Sequence, residues 1–447
     1  VDSAGARPND RVFVLNIWGE PQAANETGDV RRDALTINGK AWPYTERLSY
    51  AVGDSVRWRV INASLRFHPM HLHGFYFRVD AKGNGLRDST VPPAARPLVV
   101  TEELRPRETG LLTWSPTRPG NWLFHCHIAF HAVPERARLT APTPGHHDAH
   151  MAGLVLGLSV RPPDGWTEPE RPPPKRLVLT IEEIRPRGRS PRAIGVAIVG
   201  PQANRAARRS RGSRVPGPPL FLTRGEPTNV TVFNWLQEPT AIHWHGLELE
   251  SRSDGVAGWS GRDPELAPAI APNDTFTARL SQPRAGTFIY HTHLNDISQL
   301  TAGLYGPIVV LEPGQVFDPA RDHLFVVGWD GPQLPPRIVV NGDSTPPPLE
   351  LAAGVAHRLR FVNIGPAQRL RFAVLQDSTV VTWRPLAADG ATLPPARSVA
   401  GPAVTMLAVG MTFDAELTAP LAGEYRLVVG PPLPGARPLV TQRLLVR

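Results

Sequence analysis

NWLFHCHIAFH, residues 121–131, sets one cysteine, Cys126, between His125 and His127, with His131 five residues beyond the thiol. Cys126 is the only cysteine in 447 residues, so no internal disulfide can form. A lone thiol among imidazoles suits a soft metal. A thiolate with two imidazoles and a weak axial sulfur is the donor set of a blue-copper electron-transfer site. On a strand, successive side chains point to opposite faces. If Cys126 faces one metal, His125 and His127 can therefore face a second place on the other side. Covalent bonds alone would then join the two.

Around this stretch the chain reads as short alternating segments cut by Gly and Pro turns, with little helical periodicity. That spacing predicts all-β sandwich domains. VRWRV at 56–60 alternates apolar and basic residues, as a half-buried strand does. FYFRVD (75–80) and MAGLVLGLSV (151–160) read as further strands of a first domain, residues 1–165. The proline-rich RPPDGWTEPERPPPKR (161–176) reads as a stiff linker. RLVLTIEEI (176–184), NVTVFN (229–234), TFTARL (275–280) and LYGPIVVLEPG (304–314) belong to a second domain, 175–315. LFVVGWD, IVVNGD, HRLRFVN and EYRLVV belong to a third, 316–447. Asn62, Asn234 and Asn363 each end a strand, and NGK (38–40) echoes NGD (341–343). This points to three copies of one sandwich.

Net charge is +8, which raises the question of an anionic partner. Lysine occurs only at Lys40, Lys82 and Lys175, while proline reaches 50 residues. Arginine, proline and alanine enrichment together reads as base composition of the gene. The dense cluster RAARRSRGSR (205–214) reads as a solvated loop, and no nucleic-acid motif is present. No apolar run is long enough for a transmembrane helix, so no membrane association is expected. Any export leader would lie outside this sequence.

Ten of the fifteen histidines fall in four tight groups: HPMHLHG (68–74), HCH with His131, HWHG (243–246) and HTH (291–293). His-x-His spacing puts two imidazoles on one strand face. A single such pair is commonly a satisfied core histidine. Four of them, with one centred on cysteine, predict a multimetal site.

These motifs resemble the four copper-binding motifs of three-domain, laccase-like multicopper oxidases, and the resemblance covers essentially the whole chain. It implies three cupredoxin-like Greek-key sandwiches and four coppers. His68, Cys126 and His131 would hold a type 1 copper that accepts electrons. His71 and His243 would hold a type 2 copper. The type 3 pair would take His127, His245 and His291 on one ion, and His73, His125 and His293 on the other. Such a cluster reduces dioxygen to water.

The sequence departs from the family pattern in three ways. The HCH domain precedes the HWHG domain, and the third domain resembles the copper-free middle one, so the order is permuted. Whether the cluster then forms within one chain or between chains stays open. The family's axial position, five residues after the second type 1 histidine, holds Arg136. Reading residues 133–150 as an insertion makes Met151 the expected axial ligand and leaves His146, His147 and His150 as surface residues. Ala132 stands where many bacterial members have an acid. Asp254 matches the family's other acid and is the expected proton-handling residue, with Asp296 a second candidate.

The resemblance implies a loosely selected reductant. The four methionines, Met70, Met151, Met406 and Met411, form no cluster, so phenols and aromatic amines are expected ahead of metal ions such as cuprous, ferrous or manganous. Copper nitrite reductases need fewer imidazoles than this chain offers. A copper-storing or electron-transfer protein would bind copper without sustained oxygen consumption. A periplasmic or secreted location is implied by the resemblance. Oligomeric state is not legible.

Overall fold

The computed structural model describes residues 10–19, 33–133, 151–184, 193–202, 212–433 and 435–447. Arg136, His146, His147, His150 and most of the 205–214 cluster lie outside the described residues.

The fold is all-β and cupredoxin-like: one pattern of strands occurs three times. In each, the first long strand runs parallel to a second, which pairs antiparallel with a third. The three sets are Asp10–Gly19, Val56–Asn62 and Thr109–Trp114; Lys175–Ile184, Thr228–Asn234 and Thr275–Leu280; and Asp322–Trp329, Ala356–Asn363 and Thr412–Thr418. The facing sheets repeat as well. Gly120–Cys126, Gly286–Thr292 and Gly423–Gly430 each pair antiparallel with a following strand. That strand in turn runs parallel to an earlier one.

Alternation explains the burial. Along Val56–Asn62, Val56, Trp58 and Val60 are fully buried while Arg57, Arg59 and Ile61 are only half-buried. Trp58 packs against Phe13, Trp114 and Phe124 at centroid distances of 5.5, 5.1 and 4.8 Å, and its Nε1 donates to Tyr50 at 2.9 Å. Aromatic pairs of this kind add about 0.5–1.5 kcal/mol each beyond their buried area. Phe124 and Cys126 belong to this same core, so the NWLFHC strand is one wall of it.

The strand-end asparagines do the same work in each copy. Asn62 Nδ2 donates to the Arg66 and Leu104 carbonyls, Asn234 Nδ2 to Glu238 and Ile270, and Asn363 Nδ2 to Gln368 and Leu407. Each Oδ1 accepts the backbone N–H two residues on, at Ser64, Leu236 and Gly365. All three are fully buried with their amides satisfied, which is what makes a buried amide tolerable. Asn38 and Asn341 likewise take the left-handed conformation that an Asn-Gly turn requires, and each clamps the first strand of its sandwich.

The first two sandwiches share a sheet. Gly261–Arg262 pairs with the Cys126 strand at Asn121. Ser251 Oγ donates to the Asn121 carbonyl at 2.6 Å, and a Cβ on Gly120 would meet Ser251 at 2.2 Å. The strand carrying HCH is therefore held from both sandwiches before any ligand is considered. The third joins through Thr287, whose hydroxyl bridges Asp414 and Arg360.

Candidate metal centre

The strand His68–Leu72 pairs antiparallel with Gly120–Cys126, setting Met70 opposite Cys126 and His71 opposite His125. Alternation then sorts the side chains. His68, Met70 and Cys126 face the core; His71 and His125 face the second sandwich. The short helix Ala129–Ala132 turns the chain back and brings His131 to the core side.

On that side His68 Nδ1 and His131 Nδ1 lie 3.6 and 3.4 Å from Cys126 Sγ, and 3.2 Å from each other. All three residues are buried. Burial pushes both imidazoles down to about 3, so they are neutral and present lone pairs. Burial pushes the thiol up. A cation arriving here must displace the thiol proton, which couples binding to pH.

On the other side eight imidazoles converge from both sandwiches of a single chain. Three compact groups result: His71, His73 and His243; His73, His125 and His293; His127, His245 and His291. His73 Nε2 and His125 Nε2 are 2.9 Å apart, His127 Nε2 and His245 Nδ1 3.0 Å, His71 Nε2 and His243 Nε2 3.4 Å. Burial first, and neighbouring imidazoles second, hold His71, His73, His127 and His245 well below the usual histidine value.

The outer nitrogens are tied down. Nδ1 of His71 donates to the Val100 carbonyl, of His125 to Cys126, of His243 to Asp254 and of His291 to Thr292, at 2.9, 3.0, 2.7 and 2.7 Å. His73 Nδ1 donates to Asp254 Oδ2 at 2.8 Å. Each bond fixes the tautomer and turns Nε2 inward. His291 Nε2, His127 Nδ1 and both nitrogens of His293 are buried with no hydrogen-bond partner among the described residues. An unmet buried polar atom costs about 1–3 kcal/mol. Neutral imidazoles with converging, unpartnered lone pairs fit metal ions, and the all-imidazole set suits copper.

Two family models described as multicopper oxidase match this chain, one over residues 14–145 and one over 208–315, together more than half of it. The chain belongs to the multicopper oxidase family. Similar proteins include a copper resistance protein A homolog of Pseudomonas syringae, 28% identical over 42% of this chain and 29% of its own length. A multicopper oxidase of Mycobacterium tuberculosis is 39% identical over 23% of this chain and 18% of its own. The match thus spans less than a third of either relative. A solved multicopper oxidase of Pseudomonas thermotolerans superposes over 61% of this chain and 63% of its own, with a TM-score of 0.46 and 24% identity.

One expected ligand lies elsewhere. Met151 does not lie on the thiol side. It is half-buried against Trp42, Leu123, Ala132, Val155 and Val256, on the face of the strand opposite Cys126. Leu154 is fully buried in the same core as Cys126. Its carbonyl accepts the Cys126 N–H at 3.0 Å and its N–H donates to the His131 carbonyl at 3.0 Å. The returning strand keeps Leu154, Leu156 and Leu158 in phase on the core face, so the residue beside the thiol is three positions later than expected. That alternation was the available signal.

Asp254 is fully buried behind the eight imidazoles. Its Oδ2 also accepts from Ser260 at 3.0 Å, and its Oδ1 has no hydrogen-bond partner among the described residues. Asp296 starts the helix Asp296–Thr301 three residues beyond His293, and burial pushes its carboxyl up to about 7. Sequence reasoning missed Ser64, whose hydroxyl meets His68 Nε2 at 2.7 Å, and Thr101, whose hydroxyl lies 3.2 Å from His71 Nδ1.

Proposed function

We propose that this protein is a laccase-like oxidase: it takes single electrons from phenolic or aromatic amine donors and reduces dioxygen to water. In this reading His68, Cys126 and His131 hold a type 1 copper. His71 and His243 hold the type 2 ion. His127, His245 and His291, and His73, His125 and His293, hold the type 3 pair. Bound copper supplies one-electron redox chemistry at the first site and four-electron oxygen reduction at the cluster. The observation that carries the reading is the junction: Cys126 faces one donor set while its two neighbours in sequence face different groups of the other. The conducting path is the polypeptide itself, one residue to each side of the thiol.

The chain's own residues supply the rest. Buried neutral imidazoles exclude competing protons from the donor atoms. Asp254 fixes His73 through Oδ2 and His243 through its carbonyl, and its Oδ1, 3.4 Å from His243 Nδ1, is the carboxylate atom left to relay protons towards the cluster. The scarcity of methionine, with Met406 and Met411 in the third sandwich, argues against a dedicated cuprous-ion site. An exported, periplasmic or secreted protein is in keeping with this chemistry.

The test is oxygen uptake by the copper-loaded protein with a phenolic donor. Sustained uptake with water as product supports the reading. Uptake with ferrous or cuprous ion but no organic donor makes it a metal-ion oxidase. No uptake by a protein holding about four coppers, the number its donor groups accommodate, contradicts it.

A further inference from the structure

Asp389 lies in the third sandwich, which contributes none of the clustered histidines. With Gly390 it makes the two-residue turn between the strands Thr382–Ala388 and Ala391–Thr392, both residues in the left-handed conformation at φ 48° and 76°. Such a turn needs Asp, Asn or Gly at its first position and is indifferent to the charge. The side chain does something the turn does not require. It is buried, and its Oδ2 accepts the Val100 and Thr101 N–H groups of the first sandwich at 3.1 and 2.9 Å. Its Oδ1 accepts from Thr412 N–H at 3.0 Å, and Thr412 Oγ1 donates to the Thr287 carbonyl of the second sandwich at 2.9 Å. Tyr76 donates its hydroxyl to the Asp389 carbonyl.

The peptide that Asp389 grips is the one that orients the cluster. The Val100 carbonyl accepts from His71 Nδ1, and Thr101 Oγ1 lies 3.2 Å from His71 Nδ1 and 3.4 Å from His245 Nε2. The His71 and His245 rings stack with centroids 3.8 Å apart. A single carboxylate is therefore two hydrogen bonds from the imidazoles of both other sandwiches. The same sandwich also presses Gly410 against the His127 ring, where a Cβ would come within 2.7 Å, and the Pro366 carbonyl accepts the Ala129 N–H at 3.0 Å.

We propose that Asp389 is a positioning residue for the oxygen-reducing cluster, holding His71 and His245 in place through Val100–Thr101, so that the ligand-free sandwich sets the geometry of a site it does not enter. This rests on the copper assignments above. The carboxylate satisfies three backbone N–H groups at once, and no neutral side chain of that size offers the same acceptors.

The test compares wild type, Asp389→Gly and Asp389→Asn after copper loading, by copper content, blue absorption and the paramagnetic resonance of the non-blue copper. Asp389→Gly keeps the turn and removes the clamp; Asp389→Asn keeps the volume and spoils one acceptor. Both are expected to retain the blue band. Both should alter the non-blue signal and weaken copper binding at His71 and His243, by roughly 10–100-fold for the glycine variant. Arg369→Ala breaks the Glu103–Arg369 ion pair, another contact between the same two sandwiches, and is expected to leave both signals unchanged. If Asp389→Gly does not fold, the asparagine variant decides. Wild-type copper content and resonance in the Asp389 variants overturn the inference, as does an equal change in Arg369→Ala. A wild-type protein with neither blue band nor bound copper overturns the copper assignments instead.

Discussion

Ser64 Oγ sits 2.7 Å from His68 Nε2 and accepts its N–H. The direction follows from the neighbours: the Ser64 hydroxyl also donates to Asn62 Oδ1 at 2.8 Å, so it accepts from the imidazole. With Nε2 protonated, Nδ1 carries the lone pair and points at Cys126. In the second and third sandwiches the corresponding position is Leu236 or Gly365, with no hydroxyl. One substitution within a repeated asparagine motif thus orients the His68 ring.

Ser64→Ala is expected to keep the fold, at a cost of about 1–3 kcal/mol, since the hydroxyl's bonds to Asn62, to the Arg66 backbone and to the buried ring are all lost. The His68 ring becomes a weaker base once its N–H has no acceptor, so the blue site should move to a higher reduction potential. Spectroelectrochemical titration checks this; an unchanged or lower potential counts against the relay.

Leu154→Met is expected to lower the reduction potential of the blue site by bringing a thioether to the core face beside Cys126, since the axial group tunes such sites. Met151→Leu should leave the potential where it is. A shift in the second variant and none in the first would restore Met151 to the axial position.

The fates of Met151 and Cys126 show what can be read from the chain alone. HCH, HWHG and HTH are strand motifs whose period of two already assigns faces, and the structure keeps those faces apart. The strand-end asparagines were visible as an echo. Their function was not, because each bonds a carbonyl that is distant in sequence. The residue beside the thiol was not legible because residues 133–150 depart from the family spacing, so counting onward from His131 loses the strand phase. Convergence within one chain was undecidable, since His71 and His243 are 172 positions apart. Asp389 left no trace at all: it binds backbone N–H groups, which every residue but proline possesses.

Acid should unfold the metal-free protein sharply. His68, His131 and His291 have folded values of about 3 and His125 of about 4, against an ordinary value of 6.5 in the unfolded chain. Above pH 6.5 these groups are neutral in both states and do not affect stability. Below it the unfolded chain takes up protons that the folded one refuses. Stability therefore falls as pH drops from 6.5 towards 4, by up to about 1.4 kcal/mol per pH unit for each group. Denaturant melts of the apo-protein across this range check it; a flat profile contradicts the burial of neutral imidazoles.

Gly410→Ala should be damaging although it adds one methyl group. Gly410 has φ 82°, and the new Cβ would come within 2.7 Å of the His127 ring. Strain and overpacking together cost about 1–3 kcal/mol. Thermal melts should show the loss, and copper retention by the cluster should fall with it. A variant with wild-type stability and copper content would mean that the third sandwich does not press on His127.

The most direct test of the account is copper content with visible and paramagnetic resonance spectra for wild type and Cys126→Ser, both loaded with copper. Wild type should be blue and the serine variant colourless, having lost one copper while the imidazole cluster keeps its ions. A serine variant that stays blue, or one that loses all its copper, would contradict the picture of two distinct sites joined at Cys126.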